Sequence, residues 1–324
     1  MPSSRQPRRK PWTLETLIHE RAIAITNSLD LSTRRSYSSA LNSWIAFVNM
    51  HNFPLEPTAD SLSFFIVYMS HHIEPRSVKS YLSGIVKELE PDFPTIREIR
   101  RSRLIYQVMK GCLKLRSKPI SRKEPLVIDD LRFLEQSFQR SQLYDNHLFA
   151  ALLFTGFHGL LRLGDMTFPD DPNIREWRKV TRRTSLSVDN HSYTFLLPSH
   201  KGDKFFEGNK VLIRPFNAQS VNPTPIFLRY LMSRDRLFSA SSPLWLTSQG
   251  TVPTRAFFMT RFRLFFSKSY AGASMRAGGA THLALIGASS KIIRGIGRWT
   301  SKAWELYIRV HPTLLHALLH HHHR

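Results

Sequence analysis

The sequence predicts a mainly helical protein that carries one small antiparallel β-sheet and is divided into two domains. Apolar residues recur at helical spacing over much of the first 115 residues and again after residue 223. The stretch SLSVDNHSYTFLLPS alternates apolar and polar residues around a turn, which is typical of a hairpin. The segment RSKPISRKEP combines prolines with charged residues and lacks an apolar period, which indicates a linker.

The first half of the chain predicts a basic arm followed by four helices. Residues 1–15 contain basic side chains, proline and serine, so we expect a flexible arm before a helical domain at 16–115. The first predicted helix follows Ser32 and Thr33, which resemble a cap, and its apolar face holds Tyr37, Leu41, Trp44, Ile45 and Val48. A second helix covers 62–69, a third begins at Pro75, and a fourth carries the apolar residues of 99–109.

The second half predicts helices that flank the hairpin. The linker is expected at 116–126, and the second domain at 127–324. Helical spacing covers 131–138 and 147–157, and mostly helical structure is expected from residue 223 onward. Between these regions the hairpin turns at Asp189 and Asn190, and a third strand covers 210–213.

The charge of the chain predicts a nucleic-acid partner. Among 324 residues, 46 are lysine or arginine and 24 are acidic, which gives a formal charge of +22. Four arginines on the fourth predicted helix form a dense basic surface suited to a DNA backbone: Arg97, Arg100, Arg101 and Arg103. No apolar run of spanning length and no secretory signal is visible, and Cys112 is the single cysteine. We therefore expect a soluble, intracellular protein that binds double-stranded DNA and no membrane.

The chemistry-bearing residues suit a phosphodiester. The chain has no P-loop, dinucleotide fingerprint, nucleophile elbow or paired-cysteine metal site, so we expect no cofactor and no metal. Basic residues instead stand at predicted element ends, and a tryptophan and a tyrosine follow the last of them: Arg162, Lys201, Arg276, Arg298, Trp299 and Tyr307. Reaction at a phosphodiester needs cations on the non-bridging oxygens, a proton donor and a nucleophile, which are roles that arginine, lysine and tyrosine can fill.

Four segments resemble the signature segments of the tyrosine recombinase (phage integrase) superfamily. GLLRLGDMT, HKGDKFFEG, SMRAGGATHLA and GRWTSKAWELYIR occur in the usual order and approximate spacing. The last two are most similar to recombinases of fungal and other eukaryotic mobile elements. The resemblance covers nearly the whole chain and implies a helical core-binding domain before a catalytic domain. It also implies nuclear localisation for a eukaryotic member.

The resemblance assigns a role to each signature residue. Arg162 and Arg276 would hold the scissile phosphate, and Lys201 would protonate the departing 5′ oxygen. Trp299 stands where the family has histidine or tryptophan, whose ring N–H donates to the phosphate. Tyr307 would attack the phosphorus and form a 3′-phosphotyrosyl intermediate, with no metal or nucleotide cofactor. Asp165 would hold the phosphate-binding residues in position and would not bind the phosphate itself.

One position departs from the family pattern. The family has a histidine three residues before the second arginine, and here Ala273 occupies that position. Loss of an acid/base group slows catalysis by roughly 10²–10⁴-fold without preventing binding. His282 and His311 do not match the spacing of a replacement.

Several alternatives stay open at the level of sequence. Trp299 and Tyr307 taken singly are more often core aromatics, and THLALIGASSKIIRGIGRW also fits a helix-turn-helix DNA reader. The chain could be a non-catalytic DNA-binding protein, or have type IB topoisomerase-like activity. If it recombines DNA, the family implies a tetramer in which the apolar segment 312–319 docks on a neighbouring copy.

Overall fold

The computed structural model describes residues 9–203, 205–217, 220–301 and 304–305. It divides the chain into two compact units, Met1–Ile120 and Ser121–Arg324. This division lies within the range 116–126 that the sequence indicates as a linker. Predictions for arm residues 1–8, for Tyr307 and His311, and for the docking segment 312–319 concern positions outside the described residues.

The first unit is helical throughout its described part. Its helices are α1 (Leu14–Thr26), α2 (Leu31–His51), α3 (Ala59–His72), α4 (Pro75–Leu89), α5 (Ile96–Arg101) and α6 (Arg103–Arg116). Helix α1 begins within the range interpreted as an arm, and all of its residues are exposed. The core forms where α2, α3 and α4 bury Trp44, Phe65 and Ile85. The rings of Trp44 and Phe65 meet edge to face at 5.6 Å, as aromatic pairs prefer.

The helices predicted around residues 62–69 and from Pro75 are confirmed, but the predicted cap of α2 is wrong. Ser32 and Thr33 lie inside the helix, which begins one residue earlier. Asp30 already has an extended backbone, and its carbonyl accepts from the amide of Arg34 at 3.0 Å. The first helical hydrogen bond therefore forms before either hydroxyl residue can act as the cap.

The predicted fourth helix is two helices in the structure. Ser102 interrupts it with an extended backbone, and the Ser102 hydroxyl accepts from the amide of Ile105 at 3.5 Å. A serine in this conformation caps a new helix because its side chain satisfies an amide that has no helical partner. The break leaves Arg97, Arg100 and Arg101 on α5 and places Arg103 at the start of α6.

The second unit combines helices with a three-stranded antiparallel sheet in its described part. It contains α7 (Ile128–Gln139), α8 (Tyr144–His158), β1 (Ser187–Val188), β2 (Tyr193–Leu197), β3 (Asn209–Ile213), α9 (Pro223–Leu237), α10 (Arg255–Phe262), α11 (Ala273–Leu285) and α12 (Ser290–Gly297). Short 3₁₀ helices cover Leu163–Asp165, Pro172–Ile174, Trp177–Lys179 and Arg183–Ser185. The mainly helical fold with a small antiparallel sheet is therefore confirmed.

The hairpin forms where the sequence predicts it, with a short first strand. The Asp189 carboxylate accepts from the amides of His191 at 2.9 Å and Ser192 at 2.7 Å, which closes the turn. Both residues of β1 are exposed, so packing does not extend that strand. In β2 the alternate residues Tyr193 and Phe195 are buried, as the period-two pattern predicts.

Helix α8 is the centre of the second unit. It packs against α7, α9 and α11, and its residues from His147 to His158 are all buried. Helix α11 comes unusually close to its end, because a Cβ on Gly279 would lie only 2.1 Å from the Phe157 carbonyl oxygen. This approach brings Arg276, one turn earlier on α11, to the chain that leaves α8. Among the described residues, no helix has the length and apolar character needed to cross a bilayer.

Candidate active site

The candidate site begins at the turn that follows α8. Leu160 has a φ of 47°, a left-handed conformation that is uncommon for a branched side chain. Arg162 then has an extended backbone before the 3₁₀ helix Leu163–Asp165, and its amide donates to Asp165 Oδ2 at 2.9 Å. The sequence-predicted partners Arg162 and Asp165 are thus locked to one another through the backbone.

Arg276 is buried and directed at this turn. Its side chain is 3% exposed. Nη1 donates to the carbonyl oxygen of Leu160, and Nη2 donates to that of Gly297 at 2.6 Å. Its guanidinium carbon lies 4.0 Å from the ring centroid of Trp299, which is a cation–π contact. These contacts orient the guanidinium at the turn that follows α8.

Arg298 contacts the same turn. It ends α12 with a φ of 54°, and its Nη2 donates to the carbonyl oxygens of Gly159 at 3.1 Å and Leu160 at 3.3 Å. Burial lowers its pKa, the nearby carboxylate of Asp165 opposes that change, and the positive charge of Arg162 reinforces it. Guanidinium groups stay protonated in proteins even so. The Leu160 carbonyl therefore accepts from both Arg276 and Arg298.

Trp299 is held in place by the residue two positions before it. The ring is 8% exposed. A Cβ on Gly297 would lie 1.8 Å from Trp299 Cζ3, a separation that no pair of non-bonded atoms tolerates. Gly297 thus lets the tryptophan ring fold back over its own backbone and reach the guanidinium of Arg276.

Buried guanidinium donors of this cluster include Nη1 of Arg162 and Nε of Arg298, for which the described part of the chain offers no hydrogen-bond partner. A buried donor without a partner costs about 1–3 kcal/mol, more when it is charged. Because the charges of Arg162 and Arg298 act on each other, one anion with several oxygens could satisfy both. The cluster is thus suited to a phosphate group.

The turn after β2 carries His200 and Lys201, and His200 is the one for which the structure shows a link to the arginine cluster. His200 is half-buried, and Lys201 is exposed at the next position. Burial lowers the pKa of His200, the charges of Arg298 and Arg162 lower it further, and those of Asp165 and Asp203 raise it. His200 therefore lies within electrostatic range of the arginine cluster. It was missed at the sequence level, where its position directly before Lys201 was the available signal.

Ala273 is the first residue of α11, and it is exposed. The methyl group at this position offers no proton-transfer chemistry. His282, farther along the same helix, is engaged elsewhere: its Nε2 lies 3.2 Å from Ser220 Oγ, and its ring stacks on Phe216 with centroids 5.8 Å apart. His282 therefore does not fill the role that Ala273 leaves open.

The four arginines predicted to bind DNA differ in their surroundings within the first unit. Arg97 forms a two-point ion pair with Glu90, with Nε 2.5 Å from Oε1. Arg100 is half-buried and donates to Ser83 Oγ at 2.8 Å. Arg101 and Arg103 are exposed. The exposed pair can approach a phosphate with less rearrangement than Arg97, whose ion pair with Glu90 would first have to open.

Comparison with known proteins supports the fold. No family model matches the chain, and no curated protein matches it by sequence. Solved structures do match. XerH site-specific recombinase bound to difH in a post-cleavage complex aligns with a TM-score of 0.57 and 13% identity, over 88% of this chain and 78% of that one.

Two further solved structures give the same result. The Tn1549 transposon integrase bound to transposon right-end DNA aligns with a TM-score of 0.55 and 11% identity, over 94% of this chain and 98% of that one. A lambda integrase dimer bound to a COC′ core site aligns with a TM-score of 0.53 and 13% identity, over 91% of this chain and 77% of that one. The chain therefore shares the fold of these recombinases and integrases, which is mainly helical with a small antiparallel sheet.

Proposed function

We propose that this protein cleaves and rejoins DNA strands through a covalent tyrosine intermediate. The observation that carries the proposal is the convergence of Arg276 and Arg298 on the Leu160 carbonyl, next to Arg162, with buried N–H donors that remain open. Three guanidinium groups lie around one turn with the single carboxylate of Asp165 acting on Arg298, so the cluster keeps a positive charge that favours an anion. The scissile phosphate of DNA is that anion.

The proposed reaction uses the residue roles that the resemblance to tyrosine recombinases implies. The phenol oxygen of Tyr307 attacks the phosphorus and loses its proton to water as the new ester bond forms. The bond from phosphorus to the 5′ oxygen breaks, and Lys201 gives that oxygen a proton. Arg162 and Arg276 stabilise the charge that builds on the non-bridging oxygens. A 5′ hydroxyl from a second strand then attacks the 3′-phosphotyrosyl ester, which releases the phenol and reseals the DNA.

The wider setting is part of the same proposal. The protein would act on a mobile element of the fungal type, in the nucleus, as a tetramer on DNA in which segment 312–319 docks on a neighbouring copy. A groove of 610 Å³ in the second unit supports this docking, because Leu283, Ile292 and Ile296 line it beside Arg298. Ile292 is 52% exposed, so Ile292→Asp should reduce the assembly to smaller species on DNA without unfolding the chain. Unchanged particle mass in light scattering would remove this part of the proposal.

A non-catalytic, DNA-binding protein is the second candidate function. The exposed methyl group of Ala273 favours this candidate, because it replaces the proton-transfer side chain that the family usually has at this position of α11. Both candidates predict tight DNA binding that weakens steeply with salt. They differ in whether a covalent adduct forms.

The test is a nicked suicide duplex that carries a site selected from a random DNA library by this protein. Denaturing gels would resolve a covalent adduct formed by the unaltered chain, by Tyr307→Phe and by Ala273→His. We expect an adduct that disappears with Tyr307→Phe and forms faster with Ala273→His. Tight binding without an adduct from either the unaltered chain or Ala273→His would establish the second candidate. Relaxation of supercoiled DNA without strand exchange would instead indicate a topoisomerase-like activity.

A further inference from the structure

His200 is fixed by the turn on which it lies. The turn closes where the amide of Asp203 donates to the His200 carbonyl oxygen at 2.8 Å. Within it, the amide of Gly202 donates to His200 Nδ1 at 3.1 Å. A ring nitrogen that accepts a hydrogen bond carries no proton of its own, so the proton of the neutral ring is on Nε2. The neutral ring of His200 therefore has one N–H donor, at Nε2.

The imidazole ring of His200 lies close to the backbone at Gly202. A Cβ there would lie 3.1 Å from His200 Cε1, which is tighter than most real Cβ contacts, so the ring would have to shift by a few tenths of an ångström. The orientation of Nε2 thus depends on the turn, and a side chain at residue 202 would disturb it.

Three of the charged groups that act on His200 belong to the candidate site: Arg298, Asp165 and Arg162. The fourth, Asp203, lies on the same turn as His200. Burial and the two arginines lower the pKa of His200, and the two carboxylates act in the opposite direction. The net lowering of the pKa disfavours a second proton on the ring and so favours the neutral tautomer set by Gly202.

Two other histidines of the second unit's described core have partners elsewhere. His158 is 1% exposed and donates from Nδ1 to the Phe154 carbonyl at 3.0 Å. His282 contacts Ser220 and Phe216, as described above. His200 alone combines partial exposure with electrostatic contact to Arg162 and Arg298 among these three.

We propose that His200 is a further catalytic residue, whose Nε2–H donates to a non-bridging oxygen of the phosphate held by Arg162 and Arg276. This inference rests on the proposed function. His200 keeps its proton throughout the reaction and supplies a neutral donor from the β2–β3 turn. It thereby takes over the hydrogen bond that a side chain at the Ala273 position of α11 cannot make.

The experiment measures the rate of adduct formation on the suicide duplex together with DNA affinity. His200→Ala should slow adduct formation by about 10²-fold, the usual effect of removing one donor to a developing oxyanion. DNA affinity should change little, since phosphate contacts elsewhere supply most of it. His200→Gln keeps an N–H near the Nε2 position and should recover at least about tenfold of that loss. Gly202→Ala should slow the reaction in the same direction.

Two controls separate this role from a structural one. His191→Ala changes an exposed histidine on the β1–β2 turn and should leave the rate unchanged. Ala273→His added to His200→Ala should restore adduct formation, because it supplies a donor from α11. Circular dichroism melts of each variant would show that the second unit remains folded.

The outcomes distinguish the inference from the function on which it rests. A Tyr307-dependent adduct that forms equally fast with His200→Ala overturns the inference and keeps the function. The inference also fails if His200→Gln is as slow as His200→Ala, or if affinity falls in parallel with rate. If only Ala273→His forms an adduct, His200 does not supply the missing donor. If no variant does, both proposals fall.

Discussion

Acidification from pH 7 to pH 5 should destabilise the second unit through His158. The ring stands at the end of α8, is 1% exposed and lies near Phe154, Phe157 and Phe216. Burial lowers its pKa to about 4, against 6.5 for an unperturbed histidine. As the pH falls below 6.5, the His158 ring becomes protonated in the unfolded state. In the folded state it stays neutral until the pH approaches about 4. Folding stability is therefore lost across that window.

The size of the effect follows from the pKa difference. One pKa unit corresponds to about 1.4 kcal/mol, so the full loss is roughly 3 kcal/mol once both states are protonated. At pH 5 the unfolded ring is almost fully charged and the folded ring almost fully neutral, which corresponds to about 2 kcal/mol. This is a large fraction of the stability of an ordinary domain.

The assay is urea unfolding at pH 7 and pH 5, followed by tryptophan fluorescence, for the unaltered chain and His158→Phe. The unaltered chain should lose about 2 kcal/mol more than the variant, because carboxylates and His282 titrate equally in both. His191→Phe replaces an exposed histidine and should behave like the unaltered chain. Equal losses in the unaltered chain and His158→Phe would refute the reasoning. So would a His158 pKa near 6.5 in an NMR titration, which needs no variant.

Three further predictions concern the site, the core of the second unit and DNA binding. Gly297→Ala should displace Trp299 from its cation–π contact and slow adduct formation by about tenfold, as measured on the suicide duplex. Asp235→Asn should lower the free energy of unfolding by about 3 kcal/mol in urea, because the fully buried Arg234 loses its carboxylate partner at 2.8 Å. Arg101→Ala should weaken DNA binding and reduce the slope of log K against log salt by about 1 in fluorescence anisotropy.

Each of these predictions has a matched control. Gly295→Ala lies on the same helix as Gly297 with no atom within 4 Å of the new Cβ, so it should keep full activity. Asp129→Asn removes an ion pair whose carboxylate is 84% exposed and should cost little. Arg97→Ala should reduce the salt slope less than Arg101→Ala, because Glu90 already matches part of that charge. Equal effects within any of these pairs would contradict the corresponding argument.

Local patterns in the sequence predict most of the helices, and short-range chemistry explains the errors. The apolar faces of α3 and α4 are continuous, and Pro75 suits a first helical turn, so both elements are recognisable. The break at Ser102 cannot be recognised from the sequence, because the apolar period continues across it. Only the extended backbone at Ser102 and its bond to Ile105 reveal that a new helix begins.

The site depends on contacts that join distant parts of the chain, which is why the sequence indicates its members better than its geometry. Signature segments single out Arg162 and Arg276. The resemblance gives no sign that Arg298 binds the same carbonyl as Arg276, or that His200 lies within reach of their charges. Both facts depend on how α8, α11, α12 and the β2–β3 turn pack in three dimensions.

The shared Leu160 carbonyl couples the positions of the Arg276 and Arg298 guanidinium groups. One peptide group sets the position of both guanidinium groups, and its left-handed φ of 47° leaves it little freedom to adjust. Removing either arginine frees the carbonyl and shifts the other, so their separate effects should not add up. Natural variation at either position would then be expected in concert with the other, or with a replacement at Leu160 that favours the same backbone conformation.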